Sequence, residues 1–396
     1  MVELSNAAHA RETEGKAVPF PSERALPSLR NVPQGEWQAL ADRVLEPNGY
    51  YLPDWELAVD ASARGRSNAS ALVARGPQQR LVAMLPVVSA WRAWKLPLPT
   101  LVSADPYGDL GTPLIDAQAP VEAAKLLLQR ARSAGGRAIF LRHVVPDGAA
   151  VGALTAALAT EGLAPTVLRF EQRACLDATR DADELLRDAL GSKKLKDIRR
   201  QRNRLAEQGP VGFSLAQTPA DVKRMVEIFL TLEASGWKAA RGTALAMDTG
   251  DAAFIRRATV ALAAQRRCEL IALHVGETPI AAGVVLRHRD RAFWFKLGVD
   301  EAFAKYSPGV QLALELTRHL CADPEIALAD STALPGHPMI GPIWRGRLAI
   351  GDVLIPLYRN DPVVALTVAA LTARKRIRDP ARRLVRYLRA LKEKRP

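Results

Sequence analysis

Cysteine is scarce in this 396-residue chain: Cys175, Cys268 and Cys321 stand far apart, with no CxxC pair. So low and odd a count excludes a disulfide framework and fits a reducing compartment. The six histidines are equally scattered, which removes the usual zinc-ligand spacings. No apolar run approaches the 18 or so residues of a spanning helix. The opening stretch, MVELSNAAHARETEGKAVPFPSERALPS, is polar and of mixed charge, without the apolar segment of a secretory signal. The cytoplasm is therefore the expected compartment. A GxSxG element and a Cys–His nucleophile signature are also missing.

What is present is the balance of a packed protein, 48% hydrophobic and 24% charged. The length suggests two domains and a tail. The net charge of +13 is concentrated in two places. Residues 192–208 hold seven Lys/Arg against two acids, and residues 371–396 hold eleven against two. The remainder is close to neutral, which argues against a broad nucleic-acid face.

Residues 1–30 read as a flexible leader rich in Pro, Ser, Glu and Arg. An α/β pattern follows. Helical spacing appears over Glu36–Val44, Trp55–Ala63, Val121–Ser133 and Val151–Glu161, the last closed by Gly162. Strand-like runs occupy Ser70–Arg75, Arg80–Val88, Leu101–Ser103 and Ala138–Arg142. The second half repeats this grammar. Helices are expected over Ala182–Ala189, Ser192–Gln208, Asp221–Glu233, Ala252–Gln265 and Val310–Leu320. Strands are expected over Cys268–Val275, Ile280–His288, Arg291–Leu297, Ile326–Ala329 and Leu348–Pro356. The segments ALVARGPQQRLVAMLPVV and LIALHVGETPIAAGVVL share a strand, polar turn, strand pattern, which suggests two copies of one unit.

Between Cys268 and Leu320 an antiparallel meander leads through a glycine-bearing loop, Lys305-Tyr306-Ser307-Pro308-Gly309-Val310-Gln311, into a helix. A helix start of this kind offers free N–H groups to an anion, with Pro308 suited to the first turn and Gly309 to close approach. Over a longer stretch four blocks occur in order: SKKLKDIRRQRNRL, FLTLEASGWKAARGTAL, IAAGVVLRHRDRAFWFKLGVDEAFAKYSPGVQLALELTRHL and ALADSTALPGHPMIGPIWRGRL. In these blocks the chain resembles the GNAT-like acetyltransferases associated with cellulose biosynthesis, the CelD family. That family is related in fold to Fem-type proteins, which carry two tandem GNAT-like domains.

The resemblance implies an α/β fold of two tandem GNAT-like domains, each a mostly antiparallel mixed sheet flanked by helices. The expected bounds are 31–180 and 181–360, with a basic helical tail over 361–396. It implies direct acyl transfer from acetyl-CoA as co-substrate, with no metal. In the family a splayed strand pairs with the pantetheine amide, which directs attention to Val284 and Val285. The following loop and helix would receive the pyrophosphate at Ser307, Gly309, Val310 and Gln311. The usual loop has Gln or Arg, two residues, Gly, one residue, then Gly or Ala. Here Tyr306 stands in the first place and Gln311 in the last.

Transfer needs positioning, an oxyanion donor, and an acid or base near the acceptor. Glu233, at a helix end before Ala234-Ser235-Gly236, is a candidate base or amine clamp, with Trp237 and Lys238 lining the acceptor pocket. Asp330 follows a strand at the end where α/β sheets bind ligands. His337 sits in PGHPMIGPIW, held by prolines and glycines, as an acid, base or ligand. Tyr306 is a candidate proton donor to the leaving thiolate, and Lys296 a substrate contact. The bland alternatives are a solvated helix-end Glu, a turn-capping Asp, a loop His and an aromatic packed under its loop.

The helix over 192–208 has cations all round, three apolar positions (Leu195, Ile198, Leu205), and no interleaved aromatics. It reads as a solvated helix or as cations that attract CoA phosphates, an acidic polysaccharide or nucleic acid, the last disfavoured by the missing aromatics. The tail reads as a basic amphipathic helix that either docks on the body or touches the inner membrane peripherally. The expected acceptor is a small molecule or saccharide, with a link to exopolysaccharide production. Two alternatives remain: aminoacyl-tRNA as the donor, gripped by residues 192–208, and an inactive GNAT-like scaffold for a membrane synthase.

Overall fold

The computed structural model describes residues 25–66, 68–104, 107–235 and 242–374. The first half runs through α1 (Gln34–Ala41), α2 (Pro53–Ser62), β1 (Ser70–Arg75), β2 (Leu81–Ser89), α3 (Ala90–Trp94), β3 (Thr100–Ser103), β4 (Leu114–Ile115), α4 (Pro120–Ser133), β5 (Ala138–Val144), α5 (Ala149–Ala159) and β6 (Thr166–Asp177). The second half runs through α6 (Ala182–Ala206), β7 (Val211–Ala216), α7 (Pro219–Ser235), α8 (Thr249–Ala263), β8 (Cys268–Val275), β9 (Thr278–His288), β10 (Arg291–Val299), α9 (Pro308–Cys321), β11 (Leu328–Asp330), α10 (Ile340–Ile343) and β12 (Gly346–Pro356). A helix over residues 362–374, α11, completes the described chain.

Sequence chemistry accounts for the helix ends. Proline opens α2, α4 and α9 in the first turn, where its missing N–H is not needed. Asp181 and Asp248 cap α6 and α8 through their side chains. In α4 the buried stripe Ala124, Leu127, Leu128 and Ala131 follows the helical period and seats the helix on the first core.

Twelve strands form one sheet in the order β1-β2-β3-β5-β12-β6-β11-β10-β9-β8-β7, with β4 also on β2. Each half contains the same motif. β1, β2 and β3 form an antiparallel meander and β5 joins β3 in parallel; β8, β9 and β10 do likewise and β11 joins β10 in parallel. The segments paired in the sequence occupy equivalent places, β1–β2 and β8–β9.

The division at residue 180 does not separate two sheets. β6, at the end of the first half, pairs with β11, and β12, near the end of the second, pairs with β5. β6 and β12 pair with each other over most of their length and weld the halves together. The leader reading also needs correction at its end. Ala71 donates its N–H to Pro27 O at 2.8 Å, Ser28 bridges to Ser70, and Leu29 is buried. In the tail region, α11 lays Val364, Val368 and Leu371 against the small cluster around Val102, Phe140 and Leu354. Thr367 meets Thr100 at 3.1 Å in its buried seam. The amphipathic helix expected beyond residue 374 lies outside the described residues. Among the described residues no helix is long and apolar enough to cross a membrane.

A buried histidine also joins the halves. His288 Nδ1 accepts from Asn48 N–H at 2.9 Å, and its Nε2–H donates to Ala41 O at 2.8 Å. Burial, aided by Arg267 and Arg289, pulls its pKa from 6.5 down to about 4. Only the neutral ring suits this site. Above the unfolded value both states are neutral and the fold keeps its full stability. Between pH 6.5 and 4 the unfolded chain takes up a proton that the folded chain refuses. Stability should therefore fall by up to about 3 kcal/mol over that window. Urea unfolding at pH 7 and pH 5 should show the loss, and His288→Asn should flatten it.

Candidate active site

The parallel ladder between β10 and β11 is short. It pairs Arg291–Phe293 with Leu328–Asp330 and then stops. β10 continues to Val299, laddered on its other side to β9. The chain after β11 turns away instead. A cavity of about 320 Å³ opens in the fork, walled by residues 294–299, by residues 331–340, and by the end of α7 at Leu232 and Glu233. Thr332, in the left-handed region at φ 47°, ties the two arms by donating its Oγ1–H to Trp294 O at 2.6 Å.

The fork gathers three of the residues singled out in the sequence: Glu233, Lys296 and His337. Lys296 Nζ lies 3.0 Å from Glu233 Oε1, and Glu233 Oε2 accepts from Leu245 N–H at 2.8 Å. The Glu233 side chain is fully buried, whereas Lys296 keeps about a quarter of its surface. The carboxylate is thus a fixed counter-charge, and the ammonium is the end that reaches the cavity. The approach depends on Gly298. A Cβ there would stand 2.6 Å from Glu233 N, so only glycine lets β10 come this close to α7.

His337 Nδ1 accepts from the backbone N–H groups of Met339 and Ile340, at 3.3 and 3.5 Å. The neutral ring therefore carries its proton on Nε2 and serves as a hydrogen-bond donor. Ser331, which also lines the fork, accepts from Ala333 N–H at 3.3 Å.

Other candidates lie elsewhere. Asp330 sits beneath the cavity, paired with Arg173 of β6 and accepting from Thr332 N–H at 2.9 Å. Both side chains of this pair are almost wholly buried. Tyr306 is buried beside α6, its hydroxyl accepting from Gln208 Nε2 at 2.5 Å, and it does not line the fork. Val284 and Val285 belong to β9, which is laddered on both sides, to Leu270 and Glu269 on β8 and to Lys296 and Trp294 on β10. Their backbone groups face no cleft; the splayed strand is β10. Trp237 and Lys238 lie outside the described residues.

The loop before α9 is a six-residue 3-10 turn, Glu301–Tyr306, rather than an open cradle. Ser307 N–H bonds Ala304 O, and the N–H groups of Val310 and Gln311 both turn onto Ser307 O. Gly309 touches the fork: a Cβ there would meet Leu297 Cδ2 and Met339 Sδ at 3.1 Å. The helix start thus borders the cavity, with much of its donor capacity already used.

Sequence reasoning missed Thr332, Arg173 and Gly298. Thr332 and Gly298 stand inside quoted blocks, but only the fork gives them a task. Arg173 lies on β6, which was not predicted: Arg169, Glu171 and Arg173 alternate along one face, yet that charged face is the more buried one and Phe170 is exposed.

The fold is that of an α/β protein with a large mixed sheet flanked by helices, and it is like that of FemX. Residues 192–331 match the Acetyltransf_6 family, described as an acetyltransferase (GNAT) domain. The chain is similar to the crystal structure of FemX at 10% identity and a TM-score of 0.55, covering 85% of this chain and 99% of that one. It is also similar to the C-terminal domain of a putative lysylphosphatidylglycerol synthetase from Agrobacterium fabrum, at 12% identity and a TM-score of 0.51, over 85% and 95% of the two chains. A conserved protein of unknown function from Bacteroides thetaiotaomicron reaches 13% and 0.51, over 86% and 100%. No curated protein sequence matches the chain.

Proposed function

We propose that the protein is an acyl-CoA-dependent acyltransferase, acetyl-CoA being the first donor to test, which modifies an amine or hydroxyl of a small molecule or saccharide. The observation that carries this reading is the fork between β10 and β11, with the Lys296–Glu233 pair in its wall. An extended, amide-bearing arm can pair with the edge of β10 that β11 leaves, as another strand would. Acyl-CoA supplies an activated thioester there. Lys296 Nζ offers its protons to the carbonyl oxygen as negative charge develops, and His337 Nε2–H adds a neutral donor. Net transfer moves one proton from acceptor to leaving thiolate. Lys296 can give that proton and recover it from the acceptor, with Glu233 holding the amine in place.

The acceptor class and an exopolysaccharide role follow from the family resemblance. Peripheral membrane contact through residues 361–396 is part of the same reading.

Calorimetric titration with acetyl-CoA tests the donor. Gly309→Glu must push a carboxylate into the fork or against Leu297 and Met339, and it should abolish the heat of binding while circular dichroism stays unchanged. If the wild-type protein takes up no acyl-CoA at moderate salt, the donor assignment fails. Aminoacyl-tRNA would then take its place, favoured by the exposed cations of α6, and its binding would weaken steeply with salt.

A further inference from the structure

A second cavity, of about 370 Å³, shares no lining residue with the fork. It is made by a break in α6. At Gly191 the backbone leaves helical geometry for φ 69°, ψ 164°, a region open only to glycine, and splits the helix into two segments. Leu186 and Arg187 reach the cavity from the first segment, and Leu195, Ile198, Arg199 and Arg202 from the second. α9 closes the third side with Gln311, Leu314, Glu315 and Arg318, spaced along one helix face.

Two features point to a ligand. Gln311 is 2% exposed; its Nε2 donates to Tyr306 O at 2.8 Å, but its Oε1 has no hydrogen-bond partner among the described residues. A buried amide oxygen without a donor is costly, and a ligand N–H or O–H would satisfy it. The second feature is the charge on the rim. Arg202 pairs with Glu315 at 2.9 Å, and Arg318 with Asp183 at 3.2 Å. Among the described residues Arg187 and Arg199 have no carboxylate partner, which leaves two exposed guanidinium groups over an apolar floor of Leu186, Ile198 and Leu314.

We propose that this cavity binds a phosphorylated small molecule bearing a hydroxyl or amino group, its phosphate at Arg187 and Arg199 and its donor at Gln311 Oε1. Guanidinium forks on two separate helix segments suit the several oxygens of a phosphate, and the cavity has the volume of a ligand pocket. The assignment does not depend on acyl transfer in the fork. α9 links the two sites, since Gly309 at its start touches the fork wall and Gln311 lies in its next positions.

The test is calorimetry on the full chain at low ionic strength with three probes: inorganic phosphate, glucosamine 6-phosphate and adenosine 3′,5′-bisphosphate. At least one organic probe should bind, and the double variant Arg187→Ala/Arg199→Ala should bind it at least about tenfold more weakly. Both arginines are exposed and without a carboxylate partner among the described residues, so the variant's thermal unfolding should match the wild type. Gln311→Leu should weaken the organic probe and leave inorganic phosphate unaffected. Repeating the titration with saturating acetyl-CoA identifies the source. Competition assigns the cavity to the nucleotide end of the donor, and independence assigns it to a separate phosphosugar-type ligand. The proposal is overturned if neither organic probe binds, or if the double variant binds as the wild type does. Probe binding retained by Gly309→Glu would separate this site from any failure in the fork.

Discussion

Lys296→Met should lower the rate of acyl transfer by roughly a thousandfold while leaving the affinity for acyl-CoA nearly unchanged. The expectation follows from where the charge sits. Glu233 is fully buried and both its oxygens are engaged, by Lys296 Nζ and by Leu245 N–H. Lys296 is the partly exposed member and lines the cavity, so in the proposed mechanism it is the one that meets the carbonyl. Its contribution grows as the oxyanion forms, so its loss belongs in kcat and not in KM. Glu233→Gln gives the contrast. An amide oxygen can still accept from Leu245 N–H, but it holds the ammonium less firmly, and the rate should fall by less than for Lys296→Met. If Lys296→Met lost acyl-CoA binding and kept its turnover, the residue would be a binding group only. Removing the ammonium also leaves Glu233 buried with one fewer partner. Some loss of stability is therefore expected, moderated because Lys296 is partly solvated. Transfer should be compared at a temperature where both proteins are folded.

Much of the fold was legible because its signals are local. Trp37 and Leu40 in α1, and Leu127, Leu128 and Ala131 in α4, recur at helical spacing and are buried as that spacing requires. Gly162 ends α5 at φ 66°. The paired strand–turn–strand segments pointed to two copies of one motif, and the two meanders, each with a parallel fourth strand, match it. What could not be read is long-range exchange. Nothing in Thr166–Asp177 or Gly346–Pro356 announces that each crosses to the other half, because that choice is settled by pairing between distant segments. The site was legible in the same uneven way. Glu233, Lys296 and His337 stand in conspicuous local settings and do converge. Val284 and Val285 lie one strand away from the fork, because three consecutive apolar strands give no sign of which one loses its neighbour. The irregularity between Trp294 and Lys296 and the shortness of β11 decide that, and both are properties of the assembled sheet.

The largest effect on stability is expected from Arg173→Met, at about 3–5 kcal/mol. Arg173 lies on β6 and Asp330 on β11, and both side chains are almost completely buried. Those strands share only the pairs from Leu328–Asp177 to Asp330–Cys175, so the ion pair is a main tie across the seam where the second half takes up a strand of the first. Arg173 Nη1 also donates to Asp109 O at 2.7 Å, which draws the loop before β4 into the same network. Removing the guanidinium leaves the Asp330 carboxylate in the interior with Thr332 N–H as its remaining bond, and an uncompensated buried charge is far costlier than the pair is favourable. The pair is not ideally satisfied, since Arg173 Nε has no partner among the described residues. A well-packed neutral replacement should therefore recover much of the loss. Chemical unfolding of the wild type, of Arg173→Met and of Arg173→Met/Asp330→Asn tests this. The single variant should unfold at distinctly lower denaturant, and the double variant should regain at least about half of the difference. A single variant within about 1 kcal/mol of the wild type would show that Asp330 finds water or another partner and that the seam does not depend on this pair. Because Asp330 anchors the turn carrying Ser331 and Thr332 beneath the fork, the double variant should fold well yet transfer acyl groups more slowly than the wild type.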